Sequence, residues 1–244
     1  MQQAIQDAIQ DPRSTSKTLR SDDIFFPAMA LLILAVVVIG FAQSYFLPGM
    51  VFAKLPNALV HIHGALFVSW IFLLLVQNAL VAMRRVRWHM TLGILGIILP
   101  PLMVVFGLIT LYDSIRRNGT GIPAELLLVG DTEELILFAG LTCWAMLARR
   151  NASAHKRLMI LSTLALIGPA VNRWPFPEPI RLPGTLAVCL GLPLLIVAYD
   201  LWSRRRVHRV TAIGYALIAA SILTLVPISS MGFWQQCVAW IRRA

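Results

Sequence analysis

Long apolar runs that alternate with clusters of arginine and lysine run through the whole of this 244-residue chain. Hydrophobic residues make up 58% of it and charged residues only 13%, against about 25% charged residues in a typical soluble domain. A membrane-spanning helix needs about 20 mostly apolar residues. The sequence therefore predicts an all-α, polytopic membrane protein: a polar tail over 1–23, then one seven-transmembrane-helix domain over 24–244 with spans at 24–46, 58–83, 90–112, 131–148, 157–175, 183–202 and 210–231.

The positions of the basic residues predict how the bundle is oriented. Clusters at 84–87, 149–157 and 204–209 follow the second, fourth and sixth spans, and two thirds of the 21 Lys and Arg residues fall on the side of the N-terminus. Since the side richer in Lys and Arg is cytoplasmic, we expect the N-terminus inside and the C-terminus outside. The net charge of +10 then reflects topology and contact with anionic lipid head groups, and not binding to nucleic acid.

A first group of polar residues lies near the outer ends of the predicted spans. His61, His63, Asp131 and Glu134 offer imidazole and carboxylate groups, which are ligands for zinc, iron or copper, and Arg173 could pair with an anion. Residues two apart on a helix point about 200° apart, so His61 and His63 share a metal only if the helix begins at or after His63. The alternative is an interfacial hydrogen-bonded network in which Arg173 pairs with a carboxylate.

A segment with four prolines at 175, 177, 179 and 183 follows the fifth predicted span. Because proline lacks the N–H that an α-helix needs, the sequence predicts a non-helical, rigid cap over 172–183. This cap would cover the outer polar residues. On the opposite side, Asp200 lies four residues before Arg204, a spacing that favours a pair within one helix.

Three histidines beside basic residues form a second group, at the inner starts of the third, fifth and seventh spans. They are His89, His155 and His208. A b-type haem needs two histidines that face each other across a bundle at equal depth, and His89 with His155, or His89 with His208, meets the depth condition. The alternative is that these side chains lie at the lipid interface without a ligand.

Several motifs resemble those of a family of bacterial predicted inner-membrane proteins whose role is not established. They are the stretches Phe25-Phe26 to Gly40-Phe41, His61-Ile-His63-Gly64 with Trp70 and Gln77, Arg87-Trp-His89 to Gly93, Asp131, and Ala154-His-Lys-Arg-Leu-Met159. The resemblance implies a multi-pass protein of the bacterial cytoplasmic membrane. A looser similarity, to small histidine-bearing membrane proteins of oxidase assembly or haem handling, is an analogy at the level of the fold.

Three classes of function are consistent with these patterns. The favoured one is a redox-associated protein that binds a metal ion or b-type haem through its histidines. The others are a small-molecule transporter or binding protein, and a non-catalytic accessory or assembly subunit of a larger membrane complex. HExxH and GxSxG motifs are missing, and the seventh predicted span has no lysine for a retinal Schiff base, so the sequence names no reaction.

Overall fold

The computed structural model describes residues 21–47, 57–117 and 122–243, and every regular element in these ranges is helical. Residues 1–20 of the predicted polar tail lie outside the described residues, and residues 21–23 form the first turn of α1. A π-helical turn, Ala42–Phe46, follows α1. The α-helices are α1 (Ser21–Phe41), α2 (Ala58–Ala82), α3 (Val86–Leu92), α4 (Leu95–Arg117), α5 (Ala124–Leu147), α6 (Ala152–Leu164), α7 (Gly168–Val171), α8 (Glu178–Arg204), α9 (Arg209–Ser229) and α10 (Gly232–Arg243).

Within the described ranges, five helical segments are long and apolar enough to cross a membrane. They correspond to the first, second, third, sixth and seventh predicted spans, so the chain has the helices of a multi-pass membrane protein. The other two predicted spans correspond to α5, which carries Asp131, Glu133 and Glu134, and to α6, which has only 13 residues. The count of seven spans and the orientation of the termini are not confirmed.

Helix α6 is the central helix of the bundle. It packs against α1, α5, α8 and α9, and Leu158, Leu161 and Leu164 along it are at most 1% exposed. Because its neighbours surround it, most of its side chains face protein. This explains how α6 accommodates the buried polar residues Arg157 and Thr163, which lower its hydropathy.

Ion pairs hold the start of α1 against two of the basic turns. Arg84, after α2, lies 3.0 Å from Asp23, and Lys156, near the start of α6, lies 2.5 Å from Asp22. The buried pair of Arg157 and Asp200 joins α6 to the end of α8, where the third basic turn begins. The three basic clusters thus lie at one end of the bundle, which we call the basic end.

The predicted cap over 172–183 was wrong in its second half. Helix α8 begins at Glu178, with Pro177 as its N-cap residue and Pro179 in its first turn. The backbone N–H groups in the first turn of a helix have no acceptor within the helix, so proline fits there without the loss of a hydrogen bond. Pro183 lies inside α8, and its missing bond would have gone to the carbonyl of residue 179.

The start of the fourth predicted span was also wrong. Helix α5 begins at Ala124 with Pro123 as its N-cap residue, whereas the sequence placed the start at Asp131. The glycine, asparagine and proline residues at 118–123 are typical of a turn, and they led to the prediction of a loop up to residue 130. Asp131 and Glu134 therefore lie two to three turns inside the helix.

The C-terminal helix α10 had not been predicted. Val238 and Ile241, three residues apart, are its buried residues, and they pack with Leu111, Ile115 and Ala124 from α4 and α5. The three residues that they meet lie at the end of α4 and the start of α5, far from the basic end. Helix α10 thus covers the opposite end of these two helices.

Candidate functional site

The structure brings His89 and His155 together at the basic end. His89 lies in α3, a short helix directly after the Arg84–Arg85 turn, and His155 lies in the first turn of α6. Their ring centroids are 6.4 Å apart and their ring planes are at 84°. The Asn151 side chain fixes the start of α6 by accepting a hydrogen bond from the N–H of Ala154, at 3.1 Å.

A backbone carbonyl orients the His155 ring. Nδ1 of His155 lies 2.8 Å from the carbonyl oxygen of Ala145 in α5. A carbonyl only accepts hydrogen bonds, so Nδ1 is the donor and Nε2 is the ring nitrogen that this bond leaves available. Histidines that bind metals commonly have this arrangement, since the bond through one nitrogen fixes the direction of the other.

Three buried polar atoms on α2, α3 and α5 lack hydrogen-bond partners among the described residues. Nδ1 of His89, Oε1 of Gln77 and Oγ1 of Thr142 are buried without a hydrogen bond in the described part of the chain. Since native proteins leave few buried polar groups unpaired, the unpaired Nδ1 of His89 is a position that a bound ligand would complete.

Helix packing places Gln77 and Ala145 at the same depth. Trp70 in α2 meets Phe138 in α5 with ring centroids 5.2 Å apart, and both helices run toward the basic end. Gln77 and Ala145 each lie seven residues further on, about two turns. Gln77 therefore lies at the same depth as the Ala145 carbonyl group that holds His155.

The third inner histidine, His208, has a different role. It is the N-cap residue of α9, and its Nδ1 accepts a hydrogen bond from the N–H of Val210 at 3.3 Å. Burial and then the positive charges of Arg157 and Arg204 lower the pKa of His208. The structure thus pairs His89 with His155, and His208 serves as a neutral helix cap.

A buried ion pair, Arg157 with Asp200, joins the helices next to His155. Arg157, 1% exposed, donates from Nε to Oδ1 of Asp200, itself fully buried, at 2.9 Å, and its Nη2 donates to the same oxygen. The other carboxylate oxygen accepts from Thr211 Oγ1 at 2.7 Å and from the N–H of His208 at 3.0 Å. The pair therefore joins α6, α8 and α9.

The sequence had assigned Asp200 a different partner. Arg204 was expected to pair with it because the two lie four residues apart on one helix. In the structure Arg204 donates to Ser153 Oγ at 2.8 Å, and the same Ser153 accepts from Arg157 through its Oγ and its carbonyl oxygen. The polar character of α6 was the available signal for a long-range partner.

The outer histidines diverge, as their two-residue spacing predicts. Both lie in α2, which begins at Ala58, before either of them. The His61 ring lies 6.4 Å from that of Tyr45, whereas the His63 ring lies 4.3 Å from that of Phe67. The Nδ1 of His63 is buried without a hydrogen-bond partner in the described residues.

The outer carboxylates lie on one face of α5. A Cβ on Gly168 would fall 2.1 Å from Oε1 of Glu134, so this carboxyl group fills the space that the glycine leaves beside α7. Arg173 is exposed and donates to the Pro169 carbonyl oxygen at 2.6 Å. It is near enough to Asp131 to interact with it electrostatically.

These outer residues do not form a metal-ligand set in this structure. Among the residues that the structure describes, no group of three His, Cys, Asp or Glu side chains could hold a metal ion. The set of His61, His63, Asp131 and Glu134 proposed from the sequence is therefore not assembled, and metal binding there stays a prediction. The two-histidine pair at the basic end is the better defined arrangement.

Comparisons with known proteins give no further guide to the family. No protein-family model, no curated protein and no solved structure matches the chain. The His89–His155 pair and its surroundings are therefore the features that bear on function.

Proposed function

We propose that this chain is a seven-span protein of the bacterial cytoplasmic membrane that binds b-type haem between His89 and His155 and takes part in electron transfer or haem handling. The observation that carries this proposal is the approach of the two rings across α3 and α6. The basic end, with the N-terminus, is then cytoplasmic. The haem would lie at this end of the bundle.

The distance between the rings supports a metal between them. A metal ion lies about 2.0 Å from an imidazole nitrogen, so two imidazoles on opposite sides of one ion have ring centroids roughly 6 Å apart. The observed separation is 6.4 Å. The carbonyl of Ala145 also leaves Nε2 of His155 as the free, metal-binding nitrogen.

The number of ligands favours haem over a bare ion. A structural zinc site takes four protein ligands and a catalytic one takes three. The porphyrin already supplies four ligands to haem iron, so two axial histidines complete its coordination. Two histidines without a third metal ligand within reach in the described ranges therefore suit haem.

Seven spans follow if α5 and α6 also cross the membrane. Helix α5 has 24 residues, a length of about 36 Å that exceeds a hydrocarbon core of about 30 Å. Helix α6 is short and polar, but neighbouring helices shield it from lipid and α7 continues in the same direction after a three-residue break. Adding both to the five apolar segments gives the predicted topology.

The test is an absorbance spectrum of the full-length protein purified in mild detergent, recorded oxidised and after dithionite, with metal analysis on the same sample. We expect a Soret band that shifts on reduction. We also expect about one iron per chain, because the two histidines of one chain are the axial ligands of a single haem. His89→Ala and His155→Ala should each lose the band. His208→Ala is the matched control, because it removes a histidine from the same end and should keep the haem.

Two other results would redirect the assignment. A wild-type protein that is colourless and free of metal contradicts haem binding outright. Ligand-dependent thermal stabilisation of such a sample would then support the transporter or binding-protein class. A partner that co-purifies in fixed ratio would support an accessory subunit.

A further inference from the structure

An open groove at the basic end is lined by five consecutive residues of the turn between α2 and α3. They are Arg84, Arg85, Val86, Arg87 and Trp88, and the groove has a volume of about 350 Å³. Three of its five lining side chains are guanidinium groups. A concave surface of this kind has the charge and hydrogen-bond donors to hold an anion.

The backbone of the turn explains why the arginines gather there. Arg84 adopts a left-handed conformation with φ of 61°, which costs a residue with a side chain about 1–2 kcal/mol. The N–H of Arg84 bonds to the Val81 carbonyl oxygen at 3.0 Å, and that of Arg85 bonds to the Leu80 carbonyl oxygen at 2.8 Å. This pattern ends α2 abruptly, so only three residues separate it from the next helix and the arginines stay close together.

Two of the three arginines have no counter-charge in the described structure. Arg84 pairs with Asp23 at 3.0 Å. Arg85 and Arg87 are exposed and form no ion pair with any described residue. Trp88, beside them, is 60% exposed, and an exposed tryptophan at the end of a span is typical of the level of the lipid head groups.

We infer that this groove binds a phosphate group, and that its source is the head group of an anionic lipid. Guanidinium groups bind phosphate oxygens through paired hydrogen bonds, and Arg85 and Arg87 would supply them. Trp88 would lie against the glycerol and upper acyl region of the same lipid. The inference does not depend on haem at the neighbouring histidines.

The experiment measures lipid binding by the full-length protein in mild detergent, where no bilayer surface contributes a general attraction. Phosphatidylglycerol and phosphatidylcholine are titrated separately, and binding is followed by native mass spectrometry. Phosphatidylglycerol should bind and phosphatidylcholine should not. Arg85→Gln with Arg87→Gln should weaken binding on the order of a hundredfold, the effect expected from the loss of two charge-assisted hydrogen bonds to the phosphate.

The matched control is Arg149→Gln with Arg150→Gln. These two arginines are also adjacent, exposed and at the basic end, but they do not line the groove. Their loss should change the affinity less than about threefold, since they offer only distant, screened charge. An equal loss in both double variants would overturn a defined site.

A third titration, with inorganic phosphate, separates the two sources of the phosphate group. Binding of inorganic phosphate as tight as that of phosphatidylglycerol would overturn the assignment to a lipid. Arg87→Ala alone, on the exposed surface of α3, is a second variant in case the double variant fails to fold. It should also weaken phosphatidylglycerol binding, and unchanged binding in it would contradict the inference.

Discussion

Replacing Asp200 by alanine should destabilise this protein more than almost any other single substitution of a polar side chain. Asp200 is fully buried and Arg157 is 1% exposed. The substitution leaves the Arg157 guanidinium in place with the donors of Nε and Nη2 unpaired. It also removes the acceptor for Thr211 and for the N–H of His208.

The expected magnitude follows from the cost of an unpaired buried charge. Removing one partner of a buried ion pair typically costs about 3–5 kcal/mol, and each buried donor left unpaired adds to that cost about 1 kcal/mol or more. These terms overlap, so we expect a loss of about 4 kcal/mol, which lowers the folding equilibrium constant roughly a thousandfold.

The assay is equilibrium unfolding in mixed micelles with increasing dodecyl sulfate, followed by far-ultraviolet circular dichroism. Glu178→Ala is the control: this side chain is 81% exposed and lies 2.7 Å from Arg181, and exposed pairs contribute at most about 1 kcal/mol. The double variant Arg157→Met with Asp200→Leu should recover part of the stability, because it removes the unpaired charge but still leaves Thr211 and the N–H of His208 without their acceptor. An Asp200→Ala protein within about 1 kcal/mol of the wild type would refute the argument.

Two further predictions concern packing and pH. A Cβ at Gly40 would lie 2.2 Å from the carbonyl oxygen of Ala170, whereas a Cβ at Gly140 would have nothing within 4 Å. Unfolding measurements should show that Gly40→Ala is less stable than the wild type by about 1–3 kcal/mol. Gly140→Ala should be more stable by about 0.5–1 kcal/mol. The folded-state pKa of His208 is lowered, so its contribution to stability is complete above the unfolded pKa of about 6.5 and is lost as the pH falls through the folded value. Melting temperatures between pH 8 and pH 5 should therefore fall less for His208→Asn, which retains a capping side chain without a titrating group, and an equal fall would contradict this assignment.

The sequence predicted the helices that are long and apolar enough to cross a membrane. Long apolar runs marked the helices at 21–46, 58–82, 86–117, 178–204 and 209–229, because a helix that faces lipid must be apolar along most of its surface. The rule does not apply to α6, which faces protein. The length and the ends of α6 were accordingly the hardest to predict. The start of α5 was predicted seven residues too late because turn residues precede it.

For the candidate site, the sequence predicted the depth of the histidines in the bundle but not the direction in which their rings point. Basic residues beside His89, His155 and His208 placed all three at one end, but only packing decided that His155 faces His89 while His208 caps a helix. The divergence of His61 and His63 followed from helical geometry alone. The Arg157–Asp200 pair joins residues 43 positions apart. The polar residues of α6 indicated a distant partner but not which residue it is.

The burial of α6 also bears on how the chain is inserted into a membrane. A helix carrying Arg157, Lys156 and His155 partitions poorly into lipid by itself, since each basic residue costs up to about 2.5–3.5 kcal/mol at the bilayer centre and less toward its ends. Its partner α5 carries acidic residues of its own and joins α6 through a short turn. We therefore expect the translocon to release α5 and α6 together as a hairpin, and the late synthesis of α8 and α9 to complete the shield around them.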